Sequence, residues 1–73
     1  MKPDEFAART SAVLGERGWQ TRLAKALGID PSTVRRWMNG SIAVPEYAVA
    51  VVELLEVVPA AFRPERFFKL PRH

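Results

Sequence analysis

The chain has 73 residues, of which 11 are lysine or arginine and 8 are aspartate or glutamate, so its formal net charge is +3. A chain of this length folds as one small domain, and the absence of cysteine excludes disulfides and thiolate metal sites. No apolar run approaches the roughly 20 residues of a membrane span, and the N-terminus lacks the apolar core of a signal peptide, so we expect a cytoplasmic protein without membrane contact.

Positive charge is concentrated in two parts of the chain. Residues 16–40 contain five basic and two acidic residues, and residues 59–73 contain four basic and one acidic residue. Residues 41–58 contain three glutamates and no basic residue. A polyanion is therefore the natural partner to consider, although many small basic domains bind nothing charged.

The first predicted helix covers residues 3–17. Pro3 suits the first helical position, and two acidic residues follow it where the helix dipole favours negative charge. Gly18 is the predicted end of the helix, because glycine readily adopts the left-handed conformation. The predicted core contacts lie roughly on one side: Phe6, Val13 and Leu14.

A second short helix is predicted at residues 20–27 and a third at residues 31–39, with Gly28 in the turn between them. Asp30 as the N-cap, followed by Pro31, is a strong signal for the start of a helix. The third helix has an apolar side and a hydrogen-bonding, cationic side. The predicted apolar residues of the pair are Leu23, Ala24, Leu27, Val34, Trp37 and Met38, and the polar residues of the third helix are Ser32, Arg35, Arg36 and Asn39.

A fourth helix is predicted from Pro45 to about Val57 or Val58, where Pro59 ends it. Its three glutamates cluster within about 80° of arc, so the apolar surface is wider than the one stripe that would cover a core. We therefore expect part of this helix to meet another surface.

The C-terminal tail, residues 59–73, is predicted to be irregular because prolines interrupt it. It is too apolar for a solvated segment, and it could form a dimer arm, cover the domain's own core or be disordered. The residues that make it apolar are Phe62, Phe67, Phe68 and Leu70.

An enzyme is not expected. The single histidine is the last residue, and the sequence contains neither a glycine-rich phosphate loop after a strand nor a cluster of metal ligands with workable spacing. We therefore expect no catalytic residue, no metal, no cofactor and no small-molecule ligand.

The stretch QTRLAKALGIDPSTVRRWMNG, residues 20–40, resembles the helix-turn-helix of the Cro and phage-repressor superfamily. It has the opening glutamine, a small residue where the helices cross, the turn glycine, a β-branched core residue and a large apolar residue three positions later. It departs from the family pattern at Trp19, where a Ser or Thr cap is common, and at Pro31, which replaces a polar base-reading residue. The matching positions are Gln20, Ala24, Gly28, Val34 and Trp37.

This resemblance implies an all-α, lambda-repressor-like domain of four to five helices in residues 1–58, followed by the tail. The third helix would be the recognition helix in the major groove of double-stranded DNA. By resemblance, the base-reading residues are Ser32, Thr33, Arg35 and Arg36. The expected phosphate contacts are Gln20, Thr21, Arg22, Lys25, Asn39 and Ser41.

The segment VPEYAVAVVELLEV resembles the dimerising helix of small phage and mobile-element regulators, including the small anti-CRISPR-associated repressors. The expected function is therefore a homodimeric, sequence-specific repressor that binds an inverted-repeat operator and controls its own operon. The alternatives are an antitoxin-like protein that neutralises a partner through its apolar tail, and a recombination or packaging cofactor that bends DNA. The expected dimer contacts are Val51, Leu54, Leu55, Val58, Phe62, Phe67 and Phe68.

Overall fold

A computed structural model describes residues 1–68, and within this range all regular structure is helical. The predicted all-α class is confirmed. Leu70, which was predicted to belong to the apolar part of the tail, lies outside the described residues. The elements are α1 (Pro3–Leu14), α2 (Trp19–Leu27), α3 (Pro31–Met38), α4 (Glu46–Val57) and two short 3-10 helices, η1 (Ala60–Phe62) and η2 (Glu65–Phe67).

One hydrophobic core holds the helices together, and aromatic rings form its centre. α1 contacts each of the other three α-helices, and α2 contacts both α3 and η2. The centroid of the Phe6 ring lies 6.2 Å from that of the Trp19 ring and 6.0 Å from that of the Trp37 ring. The first pair is tilted and the second is edge-to-face, and pairs of aromatic rings prefer such arrangements. Trp37 is 1% exposed, as predicted for a core residue, and Trp19, at 7% exposed, also belongs to the core.

The predicted end of α1 was wrong. The helix ends at Leu14 instead of residue 17, because Gly15 adopts a positive φ of 98° and its N–H donates to the carbonyl of Ser11 at 2.8 Å. Gly18 then takes the left-handed conformation directly before α2, which begins at Trp19 without a side-chain cap. The turn between α1 and α2 begins at Gly15 and ends at Gly18. It is so short that the sequence pattern continued the predicted helix across it.

Several apolar residues predicted in the core lie at its margin. Val13, Leu27 and Met38 are half-buried and pack against the core. Thr10, which the sequence did not single out as a core contact, is completely buried on the inner side of α1. The core therefore contains a hydroxyl where the pattern indicated only aliphatic contacts.

The described part of the tail packs on the chain's own core. Phe67 is 8% exposed and belongs to η2, which lies against α2. The Arg63 Nε donates to the carbonyls of Leu55 and Val58, at 2.9 and 3.0 Å, and so satisfies the C-terminal end of α4. Phe67 is thus buried against the chain's own core, whereas Phe62 remains 78% exposed.

Candidate nucleic-acid interface

The pair formed by α2 and α3 has the geometry of a helix-turn-helix. Gly28 has a φ of 71°, and the N–H of the following residue, Ile29, donates to the carbonyl of Ala24 at 2.9 Å. Ala24 itself is fully buried, so the two helices can approach closely. Val34 is also fully buried, and it packs the inner side of α3 into the hydrophobic core. The predicted roles of these apolar positions are confirmed by their burial.

The start of α3 is fixed by its own sequence. Asp30 Oδ1 accepts a hydrogen bond from the N–H of Ser32 at 2.8 Å, and Pro31 occupies the first turn. This hydrogen bond lowers the pKa of the Asp30 carboxyl, and the charges of Arg35 and Arg36 add to the effect. The N-cap therefore stays ionised at neutral pH and holds the first turn in place.

The outer face of α3 presents two cationic side chains to solvent. Arg35 and Arg36 are exposed, and neither forms a hydrogen bond or salt bridge with a side chain in residues 1–68. Ser32 and Thr33, the other predicted base-reading residues, are half-buried on the first turn of the same helix. The structure therefore brings the four residues together on one short helix of eight residues.

The C-terminal end of α3 is also held by local hydrogen bonds. Asn39 Oδ1 accepts from the N–H of Ser41 at 2.9 Å, and the N–H of Ile42 donates to the carbonyl of Arg36 at 3.2 Å. Both Asn39 and Ser41 are exposed. The amide nitrogen of Asn39 and the hydroxyl of Ser41 form no hydrogen bond within the described residues, so they are the groups that a phosphate could use.

The residues of α2 that are predicted to contact phosphate differ in exposure and in their contacts within the fold. Thr21 and Lys25 are exposed, and Gln20 is half-buried. Arg22 is half-buried, and its Nη2 donates to the carbonyl of Leu14 at 2.5 Å. Arg22 thus closes the end of α1, a structural role that the sequence did not indicate, and its phosphate contact stays a prediction.

The sequence analysis gave no role to Tyr47, a residue of α4 that contacts α3. Its ring lies 6.2 Å from the ring of Trp37 at an interplanar angle of 76°, and its side chain is 51% exposed. The signal for this contact was an aromatic residue on the first turn after Pro45. The contact links the first turn of α4 to the inner side of α3.

Five of the seven predicted dimer contacts line an apolar groove between α4 and the tail, and Phe62 and Phe68 do not. This groove, hereafter the α4–tail groove, has a volume of about 290 Å³, and its lining surface is entirely apolar. Leu55 and Phe67 were predicted to lie on the dimer surface, but they are 4% and 8% exposed because they fill the chain's own core, and only part of each reaches the groove. The lining residues are Val51, Leu54, Leu55, Val58, Pro64 and Phe67.

In residues 1–68 no group of three or more histidine, cysteine, aspartate or glutamate side chains is placed to hold a metal ion. No helix of that range qualifies as a membrane span, since the longest have 12 residues.

Comparison with known proteins agrees with this geometry. No curated protein and no solved structure matches the chain. A family model described as helix-turn-helix matches residues 12–62, which is more than half of the chain and contains α2, the turn, α3 and α4. The chain therefore belongs to the Cro/C1-type helix-turn-helix family of DNA-binding regulators.

Proposed function

We propose that this DNA-binding regulator is a transcriptional repressor that binds an inverted-repeat operator as a homodimer. The observation that carries the proposal is the outer face of α3, where Arg35 and Arg36 are exposed and without a salt bridge in residues 1–68. Two solvated guanidinium groups on a short, well-fixed helix suit the recognition of base edges in the major groove.

Base reading is assigned to the first two turns of α3. A guanidinium can donate two hydrogen bonds to guanine O6 and N7, a contact that discriminates against the wrong base by about 1–3 kcal/mol. Pro31 occupies a position that often carries a polar base-reading side chain, but it has no side-chain donor. Base contacts at the start of the helix would therefore come from the hydroxyl groups of Ser32 and Thr33. The phosphate contacts would position the helix in the groove: Gln20, Thr21, Lys25, Asn39, Ser41 and, with its remaining N–H groups, Arg22.

Dimerisation would supply the second half of the binding site. A twofold pair of chains implies half-sites about one helical turn, or a multiple of it, apart. Repression would follow from occupation of a promoter, and we propose that the regulated operon includes the protein's own gene, as in small phage and mobile-element regulators. A DNA operator as the target fits the expected cytoplasmic location.

The experiment that tests the proposal is the selection of bound sequences from a random pool of double-stranded DNA. We expect a palindromic motif to be enriched, which would support sequence-specific binding and dimer symmetry together. An enriched motif without a twofold axis would contradict the homodimer, and the absence of any enriched sequence would contradict specific recognition.

The assignment of the reading face is tested by two matched substitutions of exposed residues. Arg36→Ala should weaken binding to the selected operator by about 5- to 150-fold, the equivalent of one lost bidentate base contact, and should relax specificity at one base pair. Lys25→Ala should weaken binding to all DNA similarly and lower the slope of log affinity against log salt by about 1. Titrations of operator and scrambled DNA at several salt concentrations measure both effects, and equal, sequence-independent losses would place base reading elsewhere.

An antitoxin-like protein is the second candidate, and the exposed apolar surface beside α4 favours it. Phe62 is 78% exposed and Val57 is 77% exposed, which is unusual for large apolar residues of a small domain. The two functions differ in what the purified protein does alone. Sedimentation as a monomer at micromolar concentration, with operator binding unchanged by Phe62→Ala, would favour capture of an unlike partner.

A further inference from the structure

We propose that Phe62 of one copy of the chain inserts into the α4–tail groove of a second copy, while Phe62 of the second copy inserts into the groove of the first. This inference deepens the proposed function, on which it rests, by naming the contact that forms the dimer. In such a dimer, both α4 and the tail would contribute to the interface.

The groove has the size and chemistry to hold a phenyl ring. Its volume is about 290 Å³ and its lining is entirely apolar. A dry apolar cavity of about 150 Å³ lined by similar side chains is enough to bind benzene. An apolar site of this volume, left to water, gains no hydrogen bonds from its lining, so a hydrocarbon side chain is the occupant that it favours.

Phe62 is available to fill such a site, and its own chain does not use it. The side chain is 78% exposed and is not among the residues that line the groove of the same chain. Its backbone is fixed, because its N–H donates to the carbonyl of Pro59 at 2.8 Å and the next residue, Arg63, is bonded to two carbonyls of α4. Because this backbone is already ordered, burying the ring adds no cost of ordering the main chain.

A second copy is favoured over an unlike protein because the surface is self-complementary. In a twofold interface the same patch must supply both the protruding group and the site that receives it, and here Phe62 and the groove lie on adjoining segments of one chain. Charge agrees with this arrangement, because the only charged residues of α4 are glutamates, whereas the described part of the tail contains Arg63 and Arg66 against Glu65. Reciprocal packing would bring the acidic side of each copy to the basic side of the other.

The apolar surface around the groove extends the contact. A specific interface of standard size buries about 800 Å² on each partner, which is about one sixth of the 4941 Å² surface of the chain. Inserting one ring cannot bury that area. The large apolar residues that remain exposed on α4 would contribute to the rest: Leu54 and Val57.

The proposal is tested by complementation between two variants. Phe62→Ala removes the inserted ring but leaves the groove intact, and Leu54→Arg places a charge at the groove while leaving Phe62 intact. Leu54 is 63% exposed and Phe62 78%, so both variants should fold, which circular dichroism would confirm. Phe68→Ala is the matched control, because it removes another aromatic ring of the tail from outside the groove.

We expect each of the first two variants to weaken dimerisation at least 10-fold in sedimentation equilibrium, and Phe68→Ala to weaken it less than 3-fold. A mixture of Phe62→Ala and Leu54→Arg should form heterodimers more readily than either variant forms homodimers, because only the heterodimer retains one intact contact. Fluorescence energy transfer between labelled chains would measure this preference.

Three results would overturn the insertion. They are a Phe62→Ala variant that dimerises like the unsubstituted protein, a mixture without heterodimer preference, and an unsubstituted protein that stays monomeric at millimolar concentration. The first two would leave the proposed function standing if the protein still selects a palindromic operator. Failure of that selection, with dimerisation still dependent on Phe62, would instead contradict the repressor function and leave the contact intact.

Discussion

Thr10 is a polar side chain in an otherwise apolar core. It is 0% exposed, and its hydroxyl oxygen has no hydrogen-bond partner in the described structure. A buried hydroxyl without a partner loses its hydration and gains nothing in return, which costs about 1–3 kcal/mol. The unpaired hydroxyl of Thr10 therefore lowers the stability of the folded state.

The variant Thr10→Val should therefore raise the free energy of unfolding by about 1 kcal/mol, because it keeps the branched shape and removes the unpaired hydroxyl. Urea unfolding followed by circular dichroism would measure the change. Thr10→Ala is the control, and it should lower stability because it also leaves a cavity. A loss of stability in the valine variant would show that the hydroxyl has a partner, such as a buried water.

Arg22 shows which residue roles a sequence pattern can miss. Its charge and its position on α2 predict a phosphate contact, and nothing in the local sequence predicts the hydrogen bond to Leu14, eight residues earlier. That hydrogen bond depends on the turn made by Gly15 and Gly18, which brings the start of α2 back to the end of α1. The burial of Val34 and Trp37, by contrast, follows directly from helical periodicity and was predicted.

Among the elements, α3 and α1 differ in how far local signals determine their limits. The start of α3 was predicted because Asp30 and Pro31 carry their own signal, and the structure shows the capping hydrogen bond. The end of α1 was predicted at the wrong glycine, since the sequence offers both Gly15 and Gly18 and the fold uses both. The docking of η2 on α2 could not be predicted, because it depends on contacts between residues about 40 positions apart.

The turn between α2 and α3 requires a left-handed backbone conformation at Gly28. Its φ is 71°, and an added Cβ would meet no atom within 4 Å, so sterics with neighbouring residues play no part. Gly28→Ala should lower the free energy of unfolding by about 1–2 kcal/mol, the cost of the left-handed conformation for an L-residue. Thermal unfolding would measure this loss.

Gly28→Asn is the matched control, because asparagine tolerates the left-handed region better than alanine. We expect its stability to lie between that of the unsubstituted protein and that of the alanine variant. Equal losses in the two variants would mean that a side chain at this position is harmful for a reason other than backbone conformation.

At the scale of the whole molecule, an ion pair joins the first and last α-helices. Arg9 donates from Nε to Glu56 Oε2 at 2.9 Å and from Nη2 to the other carboxylate oxygen, and it also reaches Glu5. The sequence placed the glutamates of α4 on one arc of the helix and indicated no partner for Glu56. Pairing across 47 residues cannot be predicted from spacing, since the two helices meet only in the folded chain.

This ion pair predicts a dependence of stability on pH. The hydrogen bonds from Arg9 lower the pKa of Glu56 below its ordinary value of 4.5. Because the folded pKa is the lower one, the pair stabilises the fold fully above that ordinary value, and the contribution is lost as the pH falls through the lowered pKa. Glu56→Gln should therefore reduce the melting temperature slightly at neutral pH, and the difference from the unsubstituted protein should disappear in acid.

Melting curves recorded from neutral to acidic pH would test this expectation. Glu53→Gln is the matched control on the same helix, because Glu53 is exposed and forms no salt bridge in residues 1–68. A pH-independent difference for Glu56→Gln, or an equal pH dependence for Glu53→Gln, would show that the pair does not contribute in this way.

The bonds from Arg63 to the carbonyls of Leu55 and Val58 also determine which parts of the molecule open together. If the tail separated from the rest of the fold, the carbonyls at the end of α4 would lose the hydrogen bonds from Arg63. Phe67 would lose its contact with α2 in the same step. The end of α4 and the tail therefore form one cooperative unit for local unfolding. Transient opening of this unit would expose core surface beside α2, so we expect local unfolding of the C-terminal end to destabilise the helix against which α3 packs.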